Sequence, residues 1–242
     1  MTWKKIPELS GSKCIVFDAG PLISLSTNNL LSTLERLKEH YHGKFVMPES
    51  VKNELVDDPL RTKKFMFEAM QIQRLISLGI FEVLADAETK ELTLELLHLA
   101  NSCFAAKGKP IQIVHYGEMA AIAAAKLLDA EAIAMDERIT RELVEHPRHL
   151  TGMMEKRLHT AISVSSQSLL LLQKYVEKAK IIRSVELITV AFELGFLDKY
   201  VAPEENIPEA RKKLLESVLW GLKMNGCAVS GKEIEEVVAA CP

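Results

Sequence analysis

The sequence predicts an α/β fold: a three-layer α/β/α arrangement around a mainly parallel sheet, followed by a C-terminal helical hairpin. Three observations carry this. Short continuous apolar runs such as "KCIVFD" and "KFVMP" suit strands covered on both faces. Helical stretches opened by Gly or Pro follow these runs. The alternation of the two supplies the crossover connections that parallel neighbours need.

Taken in order, "KCIVFD" is the first strand, and Gly20 and Pro21 then turn the chain into a helix. Pro belongs near a first helical position, where a missing N–H costs nothing. "KFVMP" is the second strand, and Pro48 opens a helix through Val51, Glu54 and Leu55. "GIFEVLAD" is the third, set between helical segments of roughly residues 60 to 78 and 87 to 104. Gly108 and Pro110 punctuate a loop, after which "GEMAAIAAAKLLDA" is a helix of small residues suited to close packing on a sheet. "EAIAMD" is a fourth strand, and "TAISVSS" reads as a fifth, with helices near 166 to 179 and 184 to 196.

From about Val201 the pattern changes. Apolar residues at 214, 215, 218, 219 and 222 have amphipathic helical spacing ended by Asn225-Gly226, and Ser230 with Glu233 forms a capping box that opens a last helix. The expected division is therefore a domain over residues 1–200 and a helical extension over 201–242.

An apolar fraction of 48% supplies a real core. Cys14, Cys103, Cys227 and Cys241 are scattered without a C-x-x-C pair, which argues against a zinc ribbon or a disulfide framework and fits a reducing compartment. The N-terminal "MTWKKIPELSGSK" lacks a signal-peptide core, and no segment approaches membrane-spanning length. A soluble, cytoplasmic protein without a membrane partner is expected. The formal net charge of −3 gives no global attraction to nucleic acid, though it leaves room for local basic patches.

Four carboxylates stand out. Ligands of open parallel sheets bind beyond the carboxyl ends of the strands, and Asp18 and Asp136 each directly follow a strand. Glu54 borders the buried face of its helix, and Glu118 opens the helix after Gly117. Gathered on one rim, four such acids repel one another and are partly desolvated unless a cation neutralises them. An all-oxygen set suits Mg²⁺ or Mn²⁺, the metals of phosphodiester cleavage. Taken singly, each acid also has a structural role open to it: Asp18 as a helix cap, Glu54 as helix surface, Glu118 as a first-turn complement to the helix dipole, Asp136 as an ion-pair partner.

"IVFDAGPLISLS", "VMPESVKNELV" and "HYGEMAAIAAAKLLDAEAIAMDERITREL" resemble the successive acidic motifs of the PIN domain, the nuclease fold of prokaryotic toxin ribonucleases. The resemblance extends to about residue 200 through "KAKIIRSVELITVAFELGF", which resembles the closing helices of the archaeal and bacterial branch. It implies that Asp18, Glu118 and Asp136 hold Mg²⁺ or Mn²⁺, that Glu54 completes the acidic pocket, and that the protein hydrolyses RNA without a covalent intermediate. A homodimer and an antitoxin partner are further implications. Two features depart from the pattern: Ala134 stands where the family commonly has Thr, Ser or Asn, and the chain is longer than a compact toxin.

Arg138 and Arg141, one turn apart after Asp136, are the nearest candidates for phosphate contact, with pairing to Glu137 or Glu142 as the alternative. "RTKKF" and "HPRHL" are further basic stretches that read as ordinary surface. His40 and His42 lack a third ligand, Ser165 or Ser166 suits a helix cap, and Trp220 suits burial. Two other functions compete with the nuclease. One is a catalytically inactive PIN-like module that binds RNA or protein; the other is an aspartyl-phosphate enzyme, which Gly20 disfavours by standing where a second Asp is needed.

Overall fold

The computed structural model describes residues 13–201 and 207–241. The N-terminal segment through Ser12 and residues 202–206 at the start of the expected extension lie outside the described residues.

Strand β1 (Cys14–Phe17) leads into α1 (Ala19–Thr27) and α2 (Ser32–Tyr41). Strand β2 (Lys44–Pro48) leads into α3 (Glu49–Lys52), a π-helical turn (Asn53–Asp57) and the short α4 (Asp58–Leu60). Next come α5 (Met66–Ser77), β3 (Phe81–Leu84) and α6 (Asp86–Asn101). A hairpin of β4 (Phe104–Ala106) and β5 (Lys109–Pro110) precedes α7 (Tyr116–Leu128) and β6 (Ala132–Ala134). Then follow α8 (Arg138–Glu145), α9 (Pro147–Leu158), β7 (Ile162–Val164), α10 (Ser166–Val176), β8 (Ile181–Ile182) and α11 (Ser184–Glu193). The tail holds α12 (Ile207–Met224) and α13 (Gly231–Ala240).

The main sheet is fully parallel, in the order β3-β2-β1-β6-β8. Apolar side chains cover both faces, as the continuous runs require. One face buries Phe17, Phe45 and Phe81, whose rings pack within 6 Å, against α1, α2, α5 and α11. The other buries Val16, Val46 and Ile133 against α6, α7 and α10. The small residues of α7, Ala120 through Ala125 with Ile122 among them, are all buried and bring this helix against β1, β2 and β6. The result is the expected three-layer α/β/α fold.

Two strand expectations need correction. "TAISVSS" does form β7, but in a second, antiparallel sheet with order β5-β4-β7. The fifth strand of the main sheet is Ile181–Ile182, too short for a periodicity to register. The loop around Gly108 is a hairpin whose glycine adopts φ +76°.

In the tail, Leu215, Leu219, Leu222, Cys227, Val229, Ile234 and Val238 join the same core cluster as Phe17 and Phe45. Trp220 is half-buried against that cluster, and Ser230 and Glu233 form the expected capping box. Among the described residues, no helix is long and apolar enough to cross a membrane.

Strand order reverses between β1 and β6. The chain moves outward from β1 through β2 to β3, then returns beside β1 to add β6 and β8. The carboxyl end of this switch point is the crevice where open sheets of this kind bind ligands.

Candidate active site

Asp18 leaves β1 at the switch point. Its N–H donates to the Ala134 carbonyl at 2.9 Å, so the pairing of β1 with β6 continues through the residue before the carboxylate is delivered. Asp18 is the N-cap of α1, and its Oδ2 accepts from the Gly20 N–H at 3.4 Å. The side chain is buried, and desolvation pushes its carboxyl up to about 7. The Glu118 and Glu54 carboxylates push the same way, against the backbone N–H groups of Ala19 and Gly20.

Glu54 rides the π-helical turn, a widened geometry frequent at functional sites. Leu55 and Val56 anchor this turn in the core, while Glu54 keeps much of its surface open. Its carboxyl is nonetheless held up, chiefly by desolvation and further by Asp58, with His115 opposing. A methyl group on Gly117 would lie 3.6 Å from Glu54 Oε2, so this oxygen sits over the first turn of α7. That end of a helix favours negative charge.

Glu118 is held at the same helix start. Its Oε2 accepts from the His115 N–H, a capping interaction added to the first-turn complement of the helix dipole that the sequence suggests. Desolvation, Glu137 and Glu54 raise its carboxyl, while His115 lowers it. Three acids from three elements therefore press on one another at the rim.

Asp136 is placed differently. Its Oδ2 accepts from Ser24 Oγ at 2.7 Å and Ser184 Oγ at 2.8 Å, and its Oδ1 accepts from the Ser184 N–H at 2.7 Å. It is buried, and it follows the end of β6 as Asp18 follows the end of β1. Gly20 separates the two: a methyl group there would lie 3.2 Å from Asp136 Cβ and 3.6 Å from Asp18 Oδ2. The hydroxyl missing at Ala134 is thus supplied by Ser24 and Ser184. The tail closes the far side, where the Ala228 N–H donates to the Asp136 carbonyl at 3.2 Å. Burial, then the Asp136 charge, pushes the neighbouring Cys227 thiol up to about 12.

Arg138 is exposed at the start of α8. The acids that could have paired with the two arginines are otherwise engaged: Glu137 accepts from the Thr140 N–H at 2.5 Å, and Glu142 lies 3.0 Å from His149 Nδ1. Arg141 Nε is buried without a hydrogen-bond partner. Ser165 caps α10, and the His40 ring meets Phe196 edge-on. Among the described residues, no three His, Cys, Asp or Glu side chains converge closely enough to form a metal shell as they stand.

A family model described as a PIN domain matches residues 14–147, more than half of the chain. The chain belongs to the PIN domain family. Comparisons with curated proteins and with solved structures returned no match. PIN domains are generally nucleases and typically use divalent metals. All four acids of this PIN domain and both arginines fall inside the matched span. Ser184, Arg183 and the tail fall outside it, so the matched family pattern does not cover the donors that fix Asp136 from the C-terminal side.

Sequence reasoning missed Ser24, Ser184 and the two close-approach glycines. Ser24 follows Asp18 within the first motif, and its position on the buried side of α1 was a usable signal. Ser184 carried none, because only the return of β8 beside β6 brings it to Asp136.

Proposed function

We propose that this PIN domain is a divalent-metal-dependent endoribonuclease whose acidic rim is formed by Asp18, Glu54, Glu118 and Asp136. One observation carries the reading: a buried Asp18 carboxyl raised to about 7 and crowded by two further raised acids. Such a cluster is unfavourable alone and becomes favourable around a cation.

The donor set is all oxygen, which suits Mg²⁺ or Mn²⁺. Asp18, Glu54 and Glu118 would hold the ion once drawn closer around it than they stand here. The sequence reading placed Asp136 among the ligands, but its two oxygens face Ser24 and Ser184. We assign it instead as a positioning residue that fixes the floor beside Gly20. A divalent ion supplies Lewis acidity for phosphodiester hydrolysis when bound. The chain's own residues do the rest: the switch-point backbone orients Asp18, the first turn of α7 steadies Glu54 and Glu118, and Arg138 and Arg141 hold substrate phosphates.

The test pairs calorimetric titration of Mn²⁺ and Mg²⁺ with an RNA cleavage assay on the parent, Asp18→Asn and Glu118→Gln. Metal binding and cleavage lost together in both variants support the reading. Variants that cleave as fast as the parent refute it. The engagement of Asp136 by three donors favours a second reading, an inactive RNA-binding module. RNA binding that survives chelator, with no cleavage under either metal, would decide for it.

A further inference from the structure

Between the turn that carries Glu54 and the core-facing part of α5, the chain runs Leu60-Arg61-Thr62-Lys63-Lys64-Phe65-Met66-Phe67, and every one of these residues is exposed. The apolar members are far out: Phe67 is 69% exposed, Met70 58%, Phe65 49%, Leu60 40% and Met66 38%. Single exposed apolar residues are ordinary, whereas five within eleven positions form a patch that marks an interaction surface.

The fold does not need these side chains. Helix α5 buries Ala69, Ile72 and Leu75, which complete its core face without Met66, Phe67 or Met70. Phe65 adopts a left-handed backbone at φ +60°, a conformation costly for a bulky residue and natural for Gly or Asn. Neither burial nor backbone preference accounts for a phenylalanine there.

Cations are interleaved with the rings. Arg61, Lys63 and Lys64 lie in the same stretch, and the Lys64 ammonium stands 4.8 Å from the Phe65 ring centroid. Asp58 and Glu68 are the acids nearest in sequence, and Asp58 is paired with Arg61 at 3.4 Å. Helices α4 and α5 both pack on the π-helical turn, so the patch adjoins the element that presents Glu54. An acidic rim repels a phosphodiester backbone, and a strand must therefore be held by groups beside the rim. Rings alternating with cations do this for single strands, because bases stack on the rings while phosphates meet the cations.

We propose that residues 60–70 form a stacking platform for single-stranded RNA, with bases on Phe65 and Phe67 and phosphates on Lys63 and Lys64. The path from platform to rim rests on the ribonuclease reading; binding to the platform does not.

The experiment measures fluorescence anisotropy of a labelled single-stranded RNA with the full chain in EDTA, where metal-dependent cleavage does not interfere. Phe65→Ala/Phe67→Ala should weaken binding at least about ten-fold. Phe67→Trp, which keeps a stacking face, should bind like the parent. Lys63→Ala/Lys64→Ala should lower the salt dependence by about 1.4 in slope for two phosphate contacts. Parent-like affinity in the Phe double variant overturns the platform, as does a parent that binds no single-stranded RNA. Sedimentation supplies the rival outcome: a parent dimer turned monomer by the Phe changes, with RNA affinity intact, assigns the patch to a second copy and overturns the proposal. Stacking-dependent binding without cleavage under Mn²⁺ or Mg²⁺ keeps the platform and sinks the nuclease.

Discussion

Replacing Asp18 by Asn should stabilise the metal-free protein at neutral and alkaline pH. The native carboxyl is raised from 3.8 to about 7, chiefly by desolvation. Below pH 3.8 it is protonated in both folded and unfolded chains, and the group contributes no pH-dependent term. As pH rises from about 4 to about 7, the unfolded chain ionises while the folded chain stays protonated, so stability falls. Above about pH 7 the penalty is complete, on the order of 4 kcal/mol at 1.36 kcal/mol per pH unit. Asn keeps an oxygen for the Gly20 N–H and introduces no charge, which removes that penalty. The assay is urea unfolding of parent and variant in EDTA at pH 4, 6 and 8. Similar stability at pH 4 should give way to a variant advantage of a few kcal/mol at pH 8, or about 10 °C in Tm for a chain of this size. Added Mn²⁺ should reverse the order by stabilising the parent alone. A difference that is constant across pH would show that Asp18 is not the strained group, and the argument for a cation site would fall with it.

Three further outcomes follow from the same geometry. Ser184→Ala removes one hydroxyl from the buried Asp136 carboxylate and should cost about 1–3 kcal/mol in urea unfolding; a parent-like midpoint would mean that this contact does not hold the floor. Gly20→Ala brings a methyl group within 3.2 Å of Asp136 Cβ, so Mn²⁺-dependent RNA cleavage should fall at least about ten-fold while circular dichroism stays unchanged. Arg183 bridges Glu186, Glu233 at 2.9 Å and the Ala228 carbonyl at 2.9 Å. Both acids are partly open to solvent, which screens the pairs, so Arg183→Met should cost about 1–2 kcal/mol, and limited proteolysis should show earlier cutting in the tail.

The layers and the parallel sheet were legible because fully covered strands read as unbroken apolar runs: "CIVF" and "KFVMP" appear almost residue for residue as β1 and β2. Asp18 was legible for the same reason, since a charge that ends such a run marks the carboxyl end of a strand, whereas its burial there was not legible. What stayed hidden depends on distant partners. Ile181–Ile182 is a strand only because β6 offers it a ladder, and β7 was placed in the wrong sheet because its hairpin partner looked like a loop. The surroundings of Asp136 were hidden more deeply. Ala134 suggested an absent hydroxyl, yet two hydroxyls arrive from residues 24 and 184, which no local spacing relates to position 136. Exposure was equally invisible: "RTKKF" reads as common basic surface until the rings beside it are seen to face outward.

The contacts around Asp136 also impose an order in time. Ser24 Oγ lies 2.7 Å from its carboxylate, Ser184 binds both oxygens, and the Ala228 N–H meets its carbonyl. These donors come from residues 24, 184 and 228, far apart along the sequence. Loop closures this long form late in folding. The floor beside Asp18 therefore stays incomplete until Ser184 and Ala228 have been made and have docked beside β6, well after β1 and α1 exist.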